Sequence, residues 1–462
     1  MILICGAGIT GLSIARELLN YGFSDITIIE KEQNLGKHAS GRNSGVLHAG
    51  IYYTPDSLKA KFCLKGNRLM KQYCRQKGLT LIESGKVIVT KKESELTTLN
   101  ELYRRAKLNG ANVELIDEKA LKKIEPYAKT FKEALFSPET AVINPQEILN
   151  TLETELSGKG VKIIKGVTLH DVKGSRTAIT DRGDMEFDHF INAAGAHADR
   201  IAHMFGLAKQ YRIVPFKGLY KKLNKGKSFL VRGNIYPVPD IKNPFLGVHF
   251  TKIHDGTVYV GPTATPAFGR ENYKVFDDLG IETLKILWRD LSLFLSNEKF
   301  RNTAFTEMRK YFKKKFYEDV KDMIEGVSID DLLPSNKVGI RPQLIDLNKK
   351  RACNGLFSNQ GFKYNSYSQC HITSLYFCLF ICRVYCKRIF YGNRLTIPRM
   401  MNVISTKIKK RESEFAYLNS FKFFLLYIIQ QSLIRELEFS YEKKRHFYNS
   451  HIKFNCIINF TF

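Results

Sequence analysis

Gly6, Gly8 and Gly11 form a G-x-G-x-x-G pattern, and an acid, Glu30, follows nineteen residues after Gly11. These residue types at these spacings suit one kind of chemistry. Gly6 permits a tight turn. Gly8 lets the backbone approach a pyrophosphate, and Gly11 lets a helix pack on the strand before it. The helix then meets the phosphate with free N–H groups and the positive end of its dipole. Glu30 offers a carboxylate to a ribose diol, and its charge argues against a 2′-phosphate. The pattern alone fits NAD and FAD equally.

The segment after the acid separates the two. Residues 40–53 run Ser-Gly-Arg-Asn-Ser-Gly-Val-Leu-His-Ala-Gly-Ile-Tyr-Tyr. A simple NAD domain continues with a helix there. A loop of this composition instead lies along an extended cofactor and donates backbone and hydroxyl hydrogen bonds. Arg42, Asn43 and Ser44 are its candidate cofactor contacts, with Arg42 offsetting pyrophosphate charge. His48 is its one near-neutral base. A structural, hydrogen-bonded histidine is the competing reading.

The elements that must position these residues are legible near the N-terminus. Residues 2–5 are a short apolar strand. Leu12, Ile14, Ala15, Leu18 and Leu19 follow at helical spacing, and Gly22 ends the helix. Asp25–Ile29 reads as a second strand, which completes a βαβ unit. Residues 57–77, 92–108 and Pro145–Ser157 read as helices. Lys86–Val89, Val161–Ile164, Phe187–Ala193 and Val338–Leu344 read as strands. Short strands dominate 211–264, and 277–323 reads as helical and charged.

At this level the chain resembles a known family. The glycine pattern, residues 40–53 and Ile191–Ala196, which contains Gly195, are similar to FAD-dependent oxidoreductases of the D-amino-acid-oxidase superfamily. Within it they resemble the L-2-hydroxyglutarate dehydrogenase/oxidase family. Ile213–Gly218, Ile235–Asp240, Pro244–His249, Val260–Pro262 and Val338–Arg341 continue the resemblance in family order. Two positions depart from the pattern: Leu219, where an acid is expected, and Thr263, where Asn is expected. The resemblance implies FAD as cofactor. It also implies oxidation of a 2-hydroxydicarboxylate to the 2-oxo acid, with hydride passing to flavin N5. His48 and His249 are then the candidate bases, and Arg341 the partner of a carboxylate or flavin carbonyl. Lys217 and Tyr236 join Arg341 as substrate contacts, and Gly195 joins the cofactor contacts. The same fold also serves amine and amino-acid oxidases and glycerol-3-phosphate dehydrogenases.

The implied fold class is α/β. A discontinuous FAD-binding Rossmann domain takes 1–85, 145–210 and 325–350, and a β-rich substrate domain takes 86–144 and 211–324. Composition breaks near residue 350. Residues 351–462 hold 17 Lys and Arg against 5 Glu and no Asp, 23 of the 55 aromatics, and 6 of the 9 cysteines. The net charge of +27 is therefore partly a property of this tail. The codons of Lys349-Lys350-Arg351 can form a run of adenines. With one adenine removed, back-translated codons of 351–390 read without a stop into a family-like ending. The tail is accordingly expected to be an aberrant, frameshifted segment without native fold, and the enzyme to lack a flavin-closing element.

Other classes are disfavoured. No nucleic-acid module appears, and no apolar run is long enough to span a bilayer. Cys378, Cys382 and Cys386 share a helical spacing, but no fourth ligand is placed and no metal is expected. Unpaired cysteine spacing and the absence of a secretory signal point to a reducing cytoplasm, with membrane contact by the basic aromatic tail as a further expectation. The expected acceptor is oxygen or a membrane quinone. A basic binding protein or an inactive pseudogene product are the readings from other classes.

Overall fold

The structure is a computed structural model. It describes residues 1–353 apart from 56, 175, 241–245, 350 and scattered positions between 275 and 311. The described residues all belong to one compact unit. The expectations for the tail fall outside the described residues from 354 onward; at its start, against the expectation of no native fold from about 351, Arg351–Ala352 pairs with Ile345 and Asp346, and the Cys353 N–H donates to the Leu344 carbonyl at 2.8 Å. Pro244–Phe245 of the motif Pro244–His249 also lies outside the described residues.

Ile2–Cys5 is buried at every position, and a continuous apolar run of this kind suits a strand covered on both faces. It pairs in parallel with His189–Asn192 on one side and Ile26–Glu30 on the other. Ile26–Glu30 in turn pairs in parallel with Lys162–Lys165. The helix Ile9–Asn20 connects the first two strands. In such a sheet, ligands bind beyond the carboxyl ends of the strands, where Gly6, Glu30 and Ala193 lie.

A second, eight-stranded sheet carries the rest of the site. Its inner strands run in the order Val258–Gly261, His249–Lys252, Asn234–Pro237, Lys86–Val89 and Glu133–Ser137. Asn234–Pro237 is parallel to Lys86–Val89 and antiparallel to His249–Lys252. One face buries Val87, Val89, Ile235, Phe250, Val258 and Val260 against Phe316 and Val320 of the helix Lys313–Val320. This alternation leaves Lys86, Tyr236 and His249 at the intervening positions.

A further sheet pairs Tyr211–Leu219 with Val338–Asp346 over nine residues, with Phe216 opposite Arg341. Tyr211–Leu219 was expected in the substrate domain and Val338–Asp346 in the cofactor domain, and here they share one ladder. Asp199 and Arg270 fix the end of this ladder. Their side chains are 1–2% exposed, Arg270 Nη2 lies 3.0 Å from Asp199 Oδ2, and Asp199 Oδ2 accepts from the Ile213 N–H at 2.9 Å.

The helices expected at 57–77, 92–108 and Pro145–Ser157 are observed at Leu58–Lys77, Leu96–Leu108 and Pro145–Gly158. The antiparallel strands Leu169–Lys173, Thr177–Thr180 and Gly183–Glu186 were not read from the sequence. Of the helical segment expected at 277–323, the helix Lys313–Val320 is described, and most of the remainder lies outside the described residues.

Candidate active site

The glycine turn is built as its spacing requires. Gly6 sits at φ +108°, and a Cβ there would lie 2.5 Å from the Ala193 carbonyl oxygen. A Cβ on Gly11 would lie 1.9 Å from the Gly6 oxygen, so only glycine lets the helix pack this closely. Gly8 is different, because a Cβ there meets only the Ser40 hydroxyl, at 3.0 Å. Its surface faces open space, as a ligand-approach position must. The Ile9 N–H donates to Ser40 Oγ at 3.0 Å. No acid stands in the first turn of the helix Ile9–Asn20, and its N-cap residue, Gly8, has no side chain to cap it. Its positive end is thus left for an anion. The Glu30 carboxylate accepts from the Ala7 N–H at 2.8 Å and from the Glu32 N–H at 3.0 Å, which holds it beside the turn. Gly195 opens a short 3-10 turn at φ +54°, with nothing within 4 Å of a Cβ position.

The segment that follows, expected as a loop, instead contains a helical turn at Ala39–Arg42 and a short strand at Val46–Leu47, and it is pinned on itself. Asn43 Nδ2 donates to the Ala39 and Ser40 carbonyls, and its Oδ1 accepts from the Gly45 N–H at 2.8 Å. Asn43 thus shapes the loop with its side chain. Arg42 Nε donates to the Lys37 carbonyl, and its guanidinium stands 3.8 Å over the Tyr273 ring. His38 contacts Glu32 Oε1 at 2.8 Å and Tyr273 Oη at 2.9 Å. Glu32, His38 and Glu271 converge as metal ligands would. Lys31 Nζ, however, lies 3.2 Å from Glu32 and contacts Glu271, so an internal cation already serves these carboxylates.

A cavity of about 100 Å³ gathers the remaining candidates. Its lining includes Arg42, Asn43, Ser44, His48, Lys217, Tyr236, His249 and Arg341. His48 and His249 are 4% and 6% exposed. The Tyr236 ring stacks on His249, with centroids 3.7 Å apart and planes 18° apart, and meets His48 edge-on at 6.1 Å. His249 Nδ1 lies 2.9 Å from the Gly247 carbonyl oxygen. A carbonyl can only accept, so Nδ1 carries the proton and Nε2 of the neutral ring keeps its lone pair. Burial, with Lys86 and Arg341 nearby, pushes His249 down to about 3, against the Gly247 hydrogen bond. Burial first, then Lys86 and His249, holds His48 well below the usual histidine range. His48 Nδ1 is buried without a hydrogen-bond partner. Burial also lowers Lys217, whose Nζ donates to the Lys274 carbonyl at 3.3 Å.

Residues not singled out from the sequence also line the cavity, among them Tyr220 and Glu307. Burial raises Tyr220 to about 12. The two departures from the family pattern prove to be partners. The Leu219 N–H donates to Thr263 Oγ1 at 3.1 Å, and the Thr263 N–H returns a bond to the Leu219 carbonyl at 3.1 Å. A change at one of them therefore bears directly on the other.

The family model described as FAD dependent oxidoreductase matches residues 1–376. The chain belongs to this family. The match reaches beyond the composition break expected near residue 350. As an FAD dependent oxidoreductase, the chain is 36% identical over 363 residues to the mitochondrial L-2-hydroxyglutarate dehydrogenase of Homo sapiens, covering 75% of this chain and 78% of that protein. It is 33% identical over 359 residues to L-2-hydroxyglutarate dehydrogenase of Escherichia coli, covering 77% and 85%. Its fold is similar to that of the FAD-bound L-alpha-glycerophosphate oxidase of Mycoplasma pneumoniae, at 22% identity and TM-score 0.62, covering 84% of this chain and 93% of that one. Glycine oxidase of Bacillus cereus gives TM-score 0.59 at 14% identity, covering 86% and 98%. Among the described residues, no helix is long and apolar enough to cross a membrane.

The turn fits the pyrophosphate half of FAD, since the Gly8 surface is open and Glu30 adjacent. Gly6, Gly8, Gly11 and Glu30 would hold that half. Arg42 and Ser44, the other candidate cofactor contacts, line the cavity.

Proposed function

We propose that this chain oxidises L-2-hydroxyglutarate to 2-oxoglutarate. One observation carries the reading: a histidine with a fixed proton-accepting nitrogen, His249, stands in a cavity that also holds Lys217 and Arg341. Both relatives named above are L-2-hydroxyglutarate dehydrogenases, which supports the same substrate here. The substrate is a dianion, and the two cations attract its carboxylates. The planar fork of Arg341 can take two oxygens at once. His249 Nε2 accepts the proton of the C2 hydroxyl as C2 becomes a carbonyl. His48, equally buried and neutral, is the second base candidate. Tyr236 orients His249 by stacking. Bound FAD supplies the oxidant that takes the hydride from C2. Burial of the cavity removes water that would otherwise compete for each of these contacts. The test is dye reduction by purified protein on L-2-hydroxyglutarate, with 2-oxoglutarate identified as product. Failure with this substrate alongside turnover of an amino acid or glycerol 3-phosphate would move the assignment to another member of the fold. Oxygen uptake set against quinone reduction identifies the electron acceptor.

For residues 351–462 we propose an out-of-frame translation, so that the 462-residue chain is a poor flavoprotein. The composition break supports this. The coverage of 75% of this chain by the human relative also supports it. Sequencing the gene across codons 345–355 tests it.

A further inference from the structure

Lys86 stands at the start of the strand Lys86–Val89 and is 1% exposed. Among the described residues no carboxylate pairs with it. Its Nζ donates to Tyr52 Oη at 3.3 Å and sits 4.6 Å from the centre of the Tyr52 ring and 5.0 Å from that of Tyr236. A buried ammonium without an anion is costly, by several kcal/mol, unless something else is gained. Two aromatic faces recover part of that cost. They do not explain why a lysine is there at all, because a methionine would fill the same space at none of it. The residue on which Lys86 rests is the more telling fact. Tyr236 is the ring that stacks on His249 and meets His48 edge-on.

We infer that Lys86 is a positioning residue of the active site: through the Tyr236 ring it holds the stack with His249 and His48, and its ammonium sets the local field that both imidazoles sense. The inference rests on the reading of these histidines as the base pair of the proposed reaction. Lys86 does not line the cavity, so it acts through Tyr236 and through the field it sets up, not by touching substrate. Several charged or titratable groups face this arrangement. Tyr52 precedes the helix Leu58–Lys77, and Cys63 lies within it. Tyr236 and Tyr220 stand on the sheet beside His249, and Arg341 comes from Val338–Asp346. Lys217 and the carboxylate of Glu307 line the same cavity as the two histidines. Burial lowers Lys86 itself to about 7, so its charge switches within a range where the two histidines are already neutral. Burial also lowers Lys217, which lines the same cavity, so a change in the histidine ring signals in that range is assigned to Lys86 by the variants at Lys86.

The test uses the full 462-residue chain labelled in histidine, with ring resonances assigned through His48→Gln and His249→Gln. The parent should show an inflection near pH 7 in the His249 and His48 signals. Lys86→Met should abolish it, because the Lys86 ammonium is gone, and should melt no lower than the parent. Lys86→Arg should abolish it too, since guanidinium keeps its charge, and should hold the signals at the parent's acid-side positions. An inflection that persists in Lys86→Met, or none in the parent, overturns the inference. If Lys86→Met does not fold, the parent and Lys86→Arg still decide. The readout needs neither substrate nor flavin, so its failure is distinct from failure to turn over 2-hydroxyglutarate.

Discussion

Tyr236 lies flat on the His249 imidazole, 3.7 Å between centroids, while the Gly247 carbonyl holds the proton on Nδ1. The two contacts fix both the plane and the tautomer of the ring. What remains open to a substrate is Nε2. This relationship makes His249 the stronger of the two base candidates, since His48 Nδ1 has no partner to fix its tautomer. In a frame-corrected chain, His249→Gln should lower kcat by about 10²–10⁴-fold with folding retained. Stopped-flow reduction of the flavin measures it. A loss of this size in His48→Gln with none in His249→Gln would exchange the two roles.

The same burial makes a prediction about acid. Folded His249 gives up its proton near 3, far below the usual value of about 6.5, and His48 shifts the same way. The unfolded chain therefore binds more protons than the folded one between these values. Stability rises with pH across that window and is lost as pH falls below about 6.5. Each such histidine contributes a slope of at most about 1.4 kcal/mol per pH unit. Denaturant melts at pH 7, 6 and 5 should show this fall, and His249→Gln should make it shallower. Because His249 stays neutral, kcat/KM should not drop between pH 8 and 6 through protonation of this base.

Arg341 lines the cavity and lies across the ladder from Phe216, next to Lys217. Arg341→Ala should raise KM for 2-hydroxyglutarate by about thirty-fold, the value of a lost charge-assisted contact of about 2 kcal/mol. Arg341→Lys should not restore it, because a point charge cannot hold two oxygens. Steady-state kinetics on both variants checks this, and an unchanged KM in both would leave Arg341 a flavin or structural role.

How far these residues could be read from the sequence depended on how local their contacts are. The turn at Gly6–Gly11 is built within thirty residues and follows its spacing closely. The loop at 40–53 gave its residue types but not their duties: Asn43, read as a cofactor contact, spends its amide on its own loop. His48 and His249 are two hundred residues apart: the pairing of Asn234–Pro237 with His249–Lys252 brings His249 to the Tyr236 ring, while His48 follows the strand Val46–Leu47, held by Ala141–Ile143 in another sheet. Lys86 was illegible for a related reason. A lysine following Gly85 at a strand start reads as a solvated end, and its burial depends on Tyr52 and Tyr236, distant in the chain. The strands at 169–186 were missed because their alternation is weak, with exposed positions dominating Leu169–Lys173 and Gly183–Glu186.

The buried pair Asp199–Arg270 should govern stability, not chemistry. Both side chains are almost fully enclosed, and Asp199 also holds the Ile213 N–H at the start of the central ladder. Asp199→Ala leaves the guanidinium buried and uncompensated. It should cost about 3–5 kcal/mol, read as a fall in melting temperature. If the melt is unchanged, the pair is dispensable and the ladder is held by its own hydrogen bonds.

The last prediction concerns the cofactor and the tail together. The Gly6–Gly11 turn with its open Gly8 face and adjacent Glu30 fits a pyrophosphate and a ribose, so the body should retain affinity for the adenosine half of FAD. Gly8→Leu should abolish flavin retention by filling the one open face of the turn. The ring system needs more than this cradle. Its hydrogen bonds compete with water wherever the site is left open, and an uncovered core edge draws on a stability margin of roughly 5–15 kcal/mol. Removing one adenine at the Lys349-Lys350-Arg351 codons should therefore give a yellow protein that reduces dye on 2-hydroxyglutarate, while the 462-residue chain holds much less flavin. Both forms are purified side by side, and flavin per chain is read from absorbance. Stoichiometric FAD and equal turnover in the 462-residue chain would make residues 351–462 a working part of the enzyme and end the frameshift account.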